Sequence, residues 1–132
     1  MAARLLTKFE IVRMHRSLLR EYGGESGGPR RHALDNVMEA VAAAEEHGIL
    51  AAAATFAAQV VRVQPFTDAN HRVASRGVGV MLRLNGRTFG ADRRDAFYEM
   101  IWRVPGDPSV DEEFLRSYLE SNTVPLPAPG GD

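Results

Sequence analysis

Apolar residues recur at helical spacing along most of the chain, and clusters of turn residues separate the helical segments. Thr7 and Glu10 have the spacing of a capping box, which predicts that a first helix begins here, and Gly23 and Gly24 predict its end. The inward face predicted for this helix consists of Ile11, Met14, His15, Leu18 and Tyr22. The residues that follow, "GGESGGPRR", contain too many glycines for regular structure and predict a loop.

The next two helices are predicted at residues 32–46 and 49–63. Gly48 lies between them, at the position of a left-handed helix cap. The helix over 49–63 is rich in alanine and apolar on nearly every side, which indicates burial all round. It has to end near Gln64, because Pro65 disfavours the helical conformation in the residue before it.

A fourth helix is predicted from just after Asp68 to Leu84, where an Asn-Gly pair at 85–86 closes it. Gly77 and Gly79 lie inside this helix, where each glycine costs about 1 kcal/mol relative to alanine. Close contact with a neighbouring helix is the simplest reason for both glycines, and we expect such contact at each.

The last third of the chain predicts two further helices. "RTFG" suggests a short strand, and residues 92–104 read as a helix that Pro105 stops. Ser109 to Glu112 has the pattern of a second capping box and predicts the start of the final helix. The inward face predicted for that helix consists of Phe114, Leu115, Tyr118 and Leu119.

Together these elements predict an all-α domain of about six helices over residues 1–122, with a short extended segment near residues 87–89. Residues 123–132 are rich in proline and glycine and predict a disordered tail. The 132-residue chain is long enough for one domain with its own core and short for two.

Composition and charge exclude several classes of protein. With 16 basic and 17 acidic residues, the formal net charge of −1 argues against a general nucleic-acid-binding protein. The absence of cysteine excludes disulfides and thiolate chemistry. No apolar run approaches the roughly 18 residues of a membrane helix, and the amphipathic N-terminal segment does not resemble a secretory signal. We therefore expect a cytoplasmic protein with neither membrane nor nucleic-acid partners.

The loop "QPFTDANHR", residues 64–72, combines several features that suit an anion. A helix that begins near Asn70 directs unpaired amides towards the preceding turn, and Arg72 in its first turn can add a forked set of donors. Asp68 fits either as a ligand for Mg²⁺ that bridges phosphate oxygens or as a simple helix cap, and Phe66 suits a core anchor. An Asp-Ala-Asn turn is more often only a cap, so the local pattern leaves both interpretations open.

The same loop resembles the Fic/Doc motif, His-Pro-Phe-x-Asp-Gly/Ala-Asn-Gly/Lys-Arg, at every position except the first and the eighth. Flanking segments resemble Doc-type members of that family. These segments are "MHRSLLREYGG", "GPRRHALDNVMEAV" and "GVMLRLNGRTF". The resemblance therefore extends over most of the chain.

The resemblance implies an all-α fold that transfers AMP or another phosphate-containing group from ATP or a related nucleotide to a hydroxyl. Doc-type members are phosphotransferases that act on elongation factor Tu and are toxins held by a small antitoxin. By the same resemblance, Asp68 would bind Mg²⁺, and Asn70 and Arg72 would bind phosphate. The anion hole would consist of the backbone amides of Thr67, Asp68, Ala69 and Asn70.

The chain departs from the family pattern at two motif positions. The family's catalytic His, the general base, falls on Gln64, whose amide can orient a hydroxyl but cannot remove a proton near neutral pH. Losing such a base typically costs about 10²–10⁴ in rate. His71 stands where Doc-type members have Lys; we expect a phosphate-facing donor with a pH-dependent charge there, or less simply a substitute base.

A further difference lies beyond the motif. Longer AMP-transferring relatives have a second Arg three residues after the first, where this chain has Ser75, with Arg76 one residue out of register. This difference favours Doc-type chemistry. The remaining cations are expected to be structural or solvated, with His15 a hydrogen-bonded core residue, His32 and His47 exposed, and Arg30 and Arg31 a solvated pair.

Gln64 leaves three interpretations open: a member that binds without transfer, an enzyme that needs no base at this position, or a His-to-Gln change introduced to silence a toxin. Three functions are compatible with these interpretations. They are a Doc-like transferase, a non-catalytic nucleotide- or partner-binding module, and an enzyme acting on a phosphorylated small molecule.

Overall fold

The computed structural model describes residues 3–30 and 32–127, which form six α-helices, two 3₁₀ turns and a two-stranded sheet. The helices are α1 (Lys8–Tyr22), α2 (Ala33–Ala44), α3 (Ile49–Val63), α4 (Asn70–Leu84), α5 (Arg93–Ile101) and α6 (Glu112–Asn122). The strands are β1 (Arg87–Phe89) and β2 (Thr123–Pro125), and the 3₁₀ turns are Glu45–His47 and Val104–Gly106. The predicted all-α fold is confirmed.

Helix α3 lies at the centre of the fold and packs against α2, α4 and α6. Its alanines are buried, among them Ala53, Ala54 and Ala57, and Phe56 is fully buried between them. Because alanine side chains are small, three neighbouring helices can approach α3 from different sides. The burial predicted for this helix is therefore confirmed, and α3 holds the loop at its C-terminus in a fixed place.

The two glycines of α4 have different surroundings. A Cβ atom on Gly77 would lie 2.3 Å from the ring of Phe56, so helices α3 and α4 meet too closely there for any side chain. A Cβ on Gly79 would meet nothing within 4 Å. Close helix contact is thus confirmed as the reason for Gly77 and is wrong for Gly79, which faces a groove on the surface.

The ends of several helices differ from the predictions. Thr7 and Glu10 form the predicted capping box at the start of α1. The box predicted from Ser109 is wrong, because Asp111 caps α6 by accepting a hydrogen bond from the amide of Phe114. The Ser109 hydroxyl donates instead to Asp107, at 2.6 Å.

Other predicted ends and faces also need correction. Helix α5 ends at Ile101 rather than at the predicted residue 104, and the 3₁₀ turn Val104–Gly106 follows it. Gly48 has a positive φ of 100° but an extended ψ of 173°, so it is not a left-handed helical cap. Tyr22 and Phe114, predicted to face inward, are 52% and 40% exposed.

The C-terminal segment contains a strand that its composition does not suggest. β2 pairs antiparallel with β1, and Phe89 lies opposite the buried Thr123. The Arg87 guanidinium donates to the hydroxyl and carbonyl oxygens of Thr123. The disorder predicted from residue 123 is therefore wrong for the strand, whereas residues 128–132 lie outside the described part of the chain.

Among residues 3–30 and 32–127, none of the helices combines the length and the apolar character that a membrane crossing requires.

The two glycines of α4 provide a matched pair of stability tests. Gly77→Ala should lower the free energy of unfolding by about 1–3 kcal/mol, because the added methyl group collides with Phe56. Gly79→Ala should instead raise it by about 0.5–1 kcal/mol, because alanine is the better helix former and open space surrounds this position. Urea denaturation followed by circular dichroism measures both. Equal effects at the two positions would contradict the packing of α3 against α4.

Candidate anion-binding site

The loop between α3 and α4 is bounded by two residues in the left-handed conformation. Gln64, at the end of α3, has φ 51° and ψ 67°, and Ala69, just before α4, has φ 68° and ψ 17°. Such conformations cost a residue with a side chain on the order of 1 kcal/mol each, so surrounding contacts have to stabilise them.

The side chain of Asn70 closes the loop. Its oxygen accepts a hydrogen bond from the Phe66 amide at 3.1 Å, and its nitrogen donates to the Phe66 carbonyl at 2.9 Å. Asn70 is buried, so both of its polar atoms need these partners. The Asn70 side chain thus serves first to close the loop, and its expected contact with phosphate stays a prediction.

Phe66 anchors the loop in the core, as expected. It is buried and stacks on His15, with ring centroids 3.9 Å apart and planes inclined by 13°. The Nε2 atom of His15 donates to the backbone oxygen of Asp68 at 3.0 Å, since a carbonyl can only accept. Burial lowers the pKa of His15, although its contacts with Asp68 oppose the shift. His15 is thus the hydrogen-bonded core residue that was predicted.

Asp68 accepts hydrogen bonds from two backbone amides. One carboxylate oxygen lies 2.8 Å from the amide of Ala69, and the other lies 3.1 Å from the amide of Glu25. These bonds lower the pKa of Asp68 and keep its exposed carboxylate ionised. The alternative role as a helix cap is wrong, because Ala69 is the N-cap of α4 and no side chain caps this end.

Residues 23–30, which we call the strap, run alongside the loop and hold it from one side. The Thr67 amide donates to the Gly27 carbonyl at 3.1 Å, and the Arg30 amide donates to the Pro65 carbonyl at 2.7 Å. A Cβ on Gly27 would lie 2.3 Å from the Thr67 hydroxyl oxygen, and one on Gly28 would lie 2.7 Å from the Pro65 carbonyl oxygen. Strap and loop are therefore in contact at distances that only glycine allows.

The side chain of Arg30 belongs to the same contact. Its guanidinium donates to the carbonyl of Gln64 at 3.1 Å and also to that of Val63. A cation at a helix C-terminus stabilises the last carbonyls of that helix. Arg30 is exposed, as the sequence predicted, and in addition its guanidinium holds the backbone where α3 ends; Arg31 lies outside the described residues.

Two of the four amides expected in the anion hole remain open. The amides of Thr67 and Ala69 are engaged with Gly27 and Asp68, so their assignment to an anion hole is wrong in this conformation. Within the described residues, the amide of Asp68 has no acceptor, and the same holds for the amides of Asn70, His71 and Arg72 at the start of α4. These amides form the positive end of α4, where an anion is stabilised by direct hydrogen bonds and by the helix dipole.

The guanidinium of Arg72, a residue in the first turn of α4, is held by aromatic rings. Its Cζ atom is 3.8 Å from the ring centroid of Tyr22 and 5.9 Å from that of Tyr98. This contact explains why Tyr22 remains on the surface, since its ring supports the guanidinium. Arg72 lines a cavity of about 320 Å³ that is open to solvent.

His71 does not face an anion. Its ring stacks on Trp102 with centroids 3.5 Å apart and planes inclined by 4°. Its Nε2 atom is buried without a hydrogen-bond partner in the described residues, and burial lowers the pKa of the imidazole. The expected positive, phosphate-facing side chain is therefore wrong, although the backbone amide of His71 is open.

The Gln64 side chain is exposed and makes no hydrogen bond within the described residues, while its backbone carbonyl is held by Arg30. An amide at this position can orient a hydroxyl group or a water molecule, but it has no site that accepts a proton near neutral pH. The Nε2 atoms of the two nearby histidines do not replace it, because that of His15 is engaged with Asp68 and that of His71 is buried.

Asp68 satisfies the requirements of a Mg²⁺ ligand at a phosphate site. The described residues contain no cluster of three or more His, Asp or Glu side chains that could hold a metal on their own. Mg²⁺ in phosphate sites is usually held by only one or two carboxylates together with phosphate oxygens. The ionised, exposed carboxylate of Asp68 is compatible with that arrangement.

Sequence reasoning missed the strap, the support of Arg72 by Tyr22, and the place of Arg94 near Arg72. The spacing of glycines in the strap was a usable signal, because several glycines in a short segment indicate close backbone contact. No periodic pattern predicts which backbone groups the strap would meet.

The buried His15 and the half-buried His71 predict how stability depends on pH. Because burial lowers their folded-state pKa values, the unfolded state binds more protons as pH falls below about 6.5, the ordinary pKa of histidine. Stability should be complete above that pH, decrease as pH falls towards the folded-state pKa values, and then level off. The variant His15→Gln/His71→Gln should flatten this decrease, and His47→Gln, at an exposed position, should not. Urea denaturation at several pH values tests this, and an unchanged slope in the double variant would contradict it.

Comparison with known proteins agrees with the motif. A family model described as Fic/DOC family matches residues 5–76, more than half of the 132-residue chain. The matched segment contains α1, the strap, α3, the loop and the first turns of α4. A search among curated proteins found no match. The chain belongs to the Fic/DOC family.

Proposed function

We propose that this protein binds a nucleotide by its phosphates at the N-terminus of α4 and transfers a phosphate-containing group to a hydroxyl, at a rate that Gln64 limits. One observation carries the proposal. In a member of the Fic/DOC family, the open amides of Asn70, His71 and Arg72 lie at the start of a helix whose Arg72 lines an open cavity.

Phosphate is the anion that suits these groups best. Backbone amides at a helix N-terminus donate to several oxygens of one phosphate, and a guanidinium adds two parallel, charge-assisted hydrogen bonds. Tyr22 holds the Arg72 guanidinium in place before a ligand arrives, which reduces the entropy lost on binding. Asp68 would hold Mg²⁺ beside the phosphates, where the ion would neutralise negative charge.

Group transfer from such a nucleotide depends mainly on positioning and on electrostatic stabilisation. The amides, Arg72 and Asp68 supply these contributions. Gln64 can orient the attacking hydroxyl, but the proton has to leave to solvent or to the nucleotide. We therefore expect group transfer to be slower by about 10²–10⁴ than in a family member that has histidine at this position.

The Doc-type resemblance suggests the other participants. It points to ATP or a related nucleotide as donor, to a protein hydroxyl such as one on elongation factor Tu as acceptor, and to a small antitoxin as regulatory partner. Whether a phosphoryl or a nucleotidyl group moves depends on which phosphate lies nearest the acceptor.

A second function is a binding module without turnover. The observation that favours it is Gln64, whose exposed side chain stands at the position of the family's base and has no site that accepts a proton near neutral pH. The Nε2 of His15 is engaged with Asp68, and that of His71 is buried. Such a module would bind nucleotide as tightly as an active relative and release it unchanged.

Gln64→His tests the two functions directly. Histidine is compatible with the left-handed conformation at this position and restores a proton acceptor. The proposal predicts that transfer to elongation factor Tu increases by about 10²–10⁴, with little change in nucleotide affinity. ATP labelled in the α- or the γ-phosphate, added with Mg²⁺, distinguishes nucleotidyl from phosphoryl transfer.

Gln64→Asn is the matched control, because asparagine also adopts the left-handed conformation and keeps an amide. It should not increase transfer. Nucleotide binding without any labelled product from either variant would support the binding module. A folded wild-type protein that binds no nucleotide would contradict both functions.

A further inference from the structure

The first turn of α4 begins without a side-chain cap. Its N-cap residue is Ala69, and no side chain accepts a hydrogen bond from the amides of this turn. A helix end of this kind frays easily, because its first amides have no partner within the helix. The amides of Asn70, His71 and Arg72 can therefore bind one phosphate together only if other contacts keep the turn in place.

Each of the three residues in this turn is held by a different part of the fold. The side chain of Asn70 is bonded to the loop, and the guanidinium of Arg72 lies over the ring of Tyr22 in α1. The imidazole of His71 stacks on Trp102, the residue that ends α5, with ring centroids 3.5 Å apart and planes inclined by 4°. The loop, α1 and α5 thus each hold one residue of the turn.

The stack of His71 on Trp102 exists in spite of an unfavourable burial. The Nε2 atom of His71 is buried and has no hydrogen-bond partner among the described residues. A buried polar atom without a partner is destabilising, and in a native structure it calls for an explanation. The anion site beside His71 explains this contact more simply than the stability of the fold does.

Trp102 is also poorly placed to stabilise the core. Its side chain is 55% exposed, whereas the preceding Ile101 is fully buried. An aromatic ring at the surface contributes little by burial and more by the rings that it contacts. Besides stacking on His71, Trp102 meets the ring of Tyr98 edge-on at 6.3 Å. Tyr98 in turn lies 5.9 Å from the guanidinium of Arg72, so Trp102 contacts one residue of the turn directly and a second through Tyr98.

We propose that Trp102 is a positioning residue of the anion site, whose stack on His71 fixes the first turn of α4 so that its three open amides converge on one phosphate. The inference rests on the proposed function, because it assigns Trp102 a part in binding at that same site. Trp102 itself touches neither the phosphate nor the reacting hydroxyl. His71 then has two separate roles, since its backbone amide binds the anion and its side chain holds that backbone in place.

The wild-type protein contains its own reporter for this role. Trp102 is the only tryptophan of the 132-residue chain, so all tryptophan emission comes from it. A phosphate bound to the amide of His71 brings negative charge close to the stacked rings. Titration with ATP and Mg²⁺ should therefore change the emission of Trp102 in a saturable way, with the same midpoint as isothermal titration calorimetry gives.

Substitutions of Trp102 test whether its ring supports binding. Trp102→Leu keeps an apolar side chain but loses the stack, and ATP should bind about three- to ten-fold more weakly, the contribution expected of an aromatic pair. Trp102→Phe keeps a ring and should bind ATP within about two-fold of the wild type. Phe9→Leu is the matched control, because Phe9 is a 69% exposed aromatic residue at the opposite end of α1 from Tyr22, and its loss should leave the affinity unchanged.

A role through His71 predicts more than a loss of affinity. His71→Ala removes the imidazole and keeps the backbone amide, so adding Trp102→Leu to it should have no further effect on ATP affinity. A ring that only stabilised the fold would instead lower the folded fraction in both backgrounds and leave the affinity of the folded protein unchanged. Circular dichroism verifies the folded fraction of each variant.

ATP binding that leaves the emission of Trp102 unchanged would overturn the positioning role, and this test decides even if Trp102→Leu does not fold. An unchanged affinity in folded Trp102→Leu would overturn it as well, and so would an equal loss with and without the imidazole of His71. In each of these cases ATP still binds, and the proposed function stands. If the folded wild-type protein binds no ATP, the positioning role and the proposed function both fail.

Discussion

The buried amide of Asn70, bound to both the amide and the carbonyl of Phe66, is the interaction on which the site depends. It closes the loop on itself and fixes the direction in which α4 begins. Because the side chain of Asn70 is bonded to the loop, the main chain of α4 and Arg72 are the main groups that can bind an anion. Removing such a buried polar group would leave two backbone groups unsatisfied, at a cost of about 1–3 kcal/mol each.

Some residues around the loop hold its backbone in place, and others have groups that remain available to bind a ligand. His15 holds the Asp68 carbonyl from the core, and Arg30 holds the end of α3 from the strap. These contacts offset the left-handed conformations at either end of the loop. The exposed side chain of Gln64 and the open amides of α4 are what remains for chemistry. The same arrangement is compatible with loss of the base, since the side chain of Gln64 takes no part in holding the loop and only its backbone is bound, by Arg30.

Sequence periodicity predicted the helices well where burial decides them, and α3 is the clearest case because nearly every side of it is apolar. The motif resemblance pointed to the loop between α3 and α4, which lies inside the segment that the family model matches. It did not reveal which groups are used internally, since the partner of Thr67 is Gly27, on a distant segment without regular structure. Strand β2 was missed for the same reason: its pairing with β1 outweighs a local composition typical of disorder. Motif spacing did not show that Arg76 lines the same cavity as Arg72, because a helix brings both the third and the fourth residue to one face.

The most direct test of this account is amide proton–nitrogen NMR of the wild-type protein during titration with ATP and Mg²⁺. The amides of Asn70, His71 and Arg72, which gain a phosphate acceptor, should show large shifts, and those of Thr67 and Ala69, which already have acceptors in the loop, should show small ones. Saturable ATP binding that leaves the three amides at the start of α4 unshifted, or no binding at millimolar nucleotide, would contradict it.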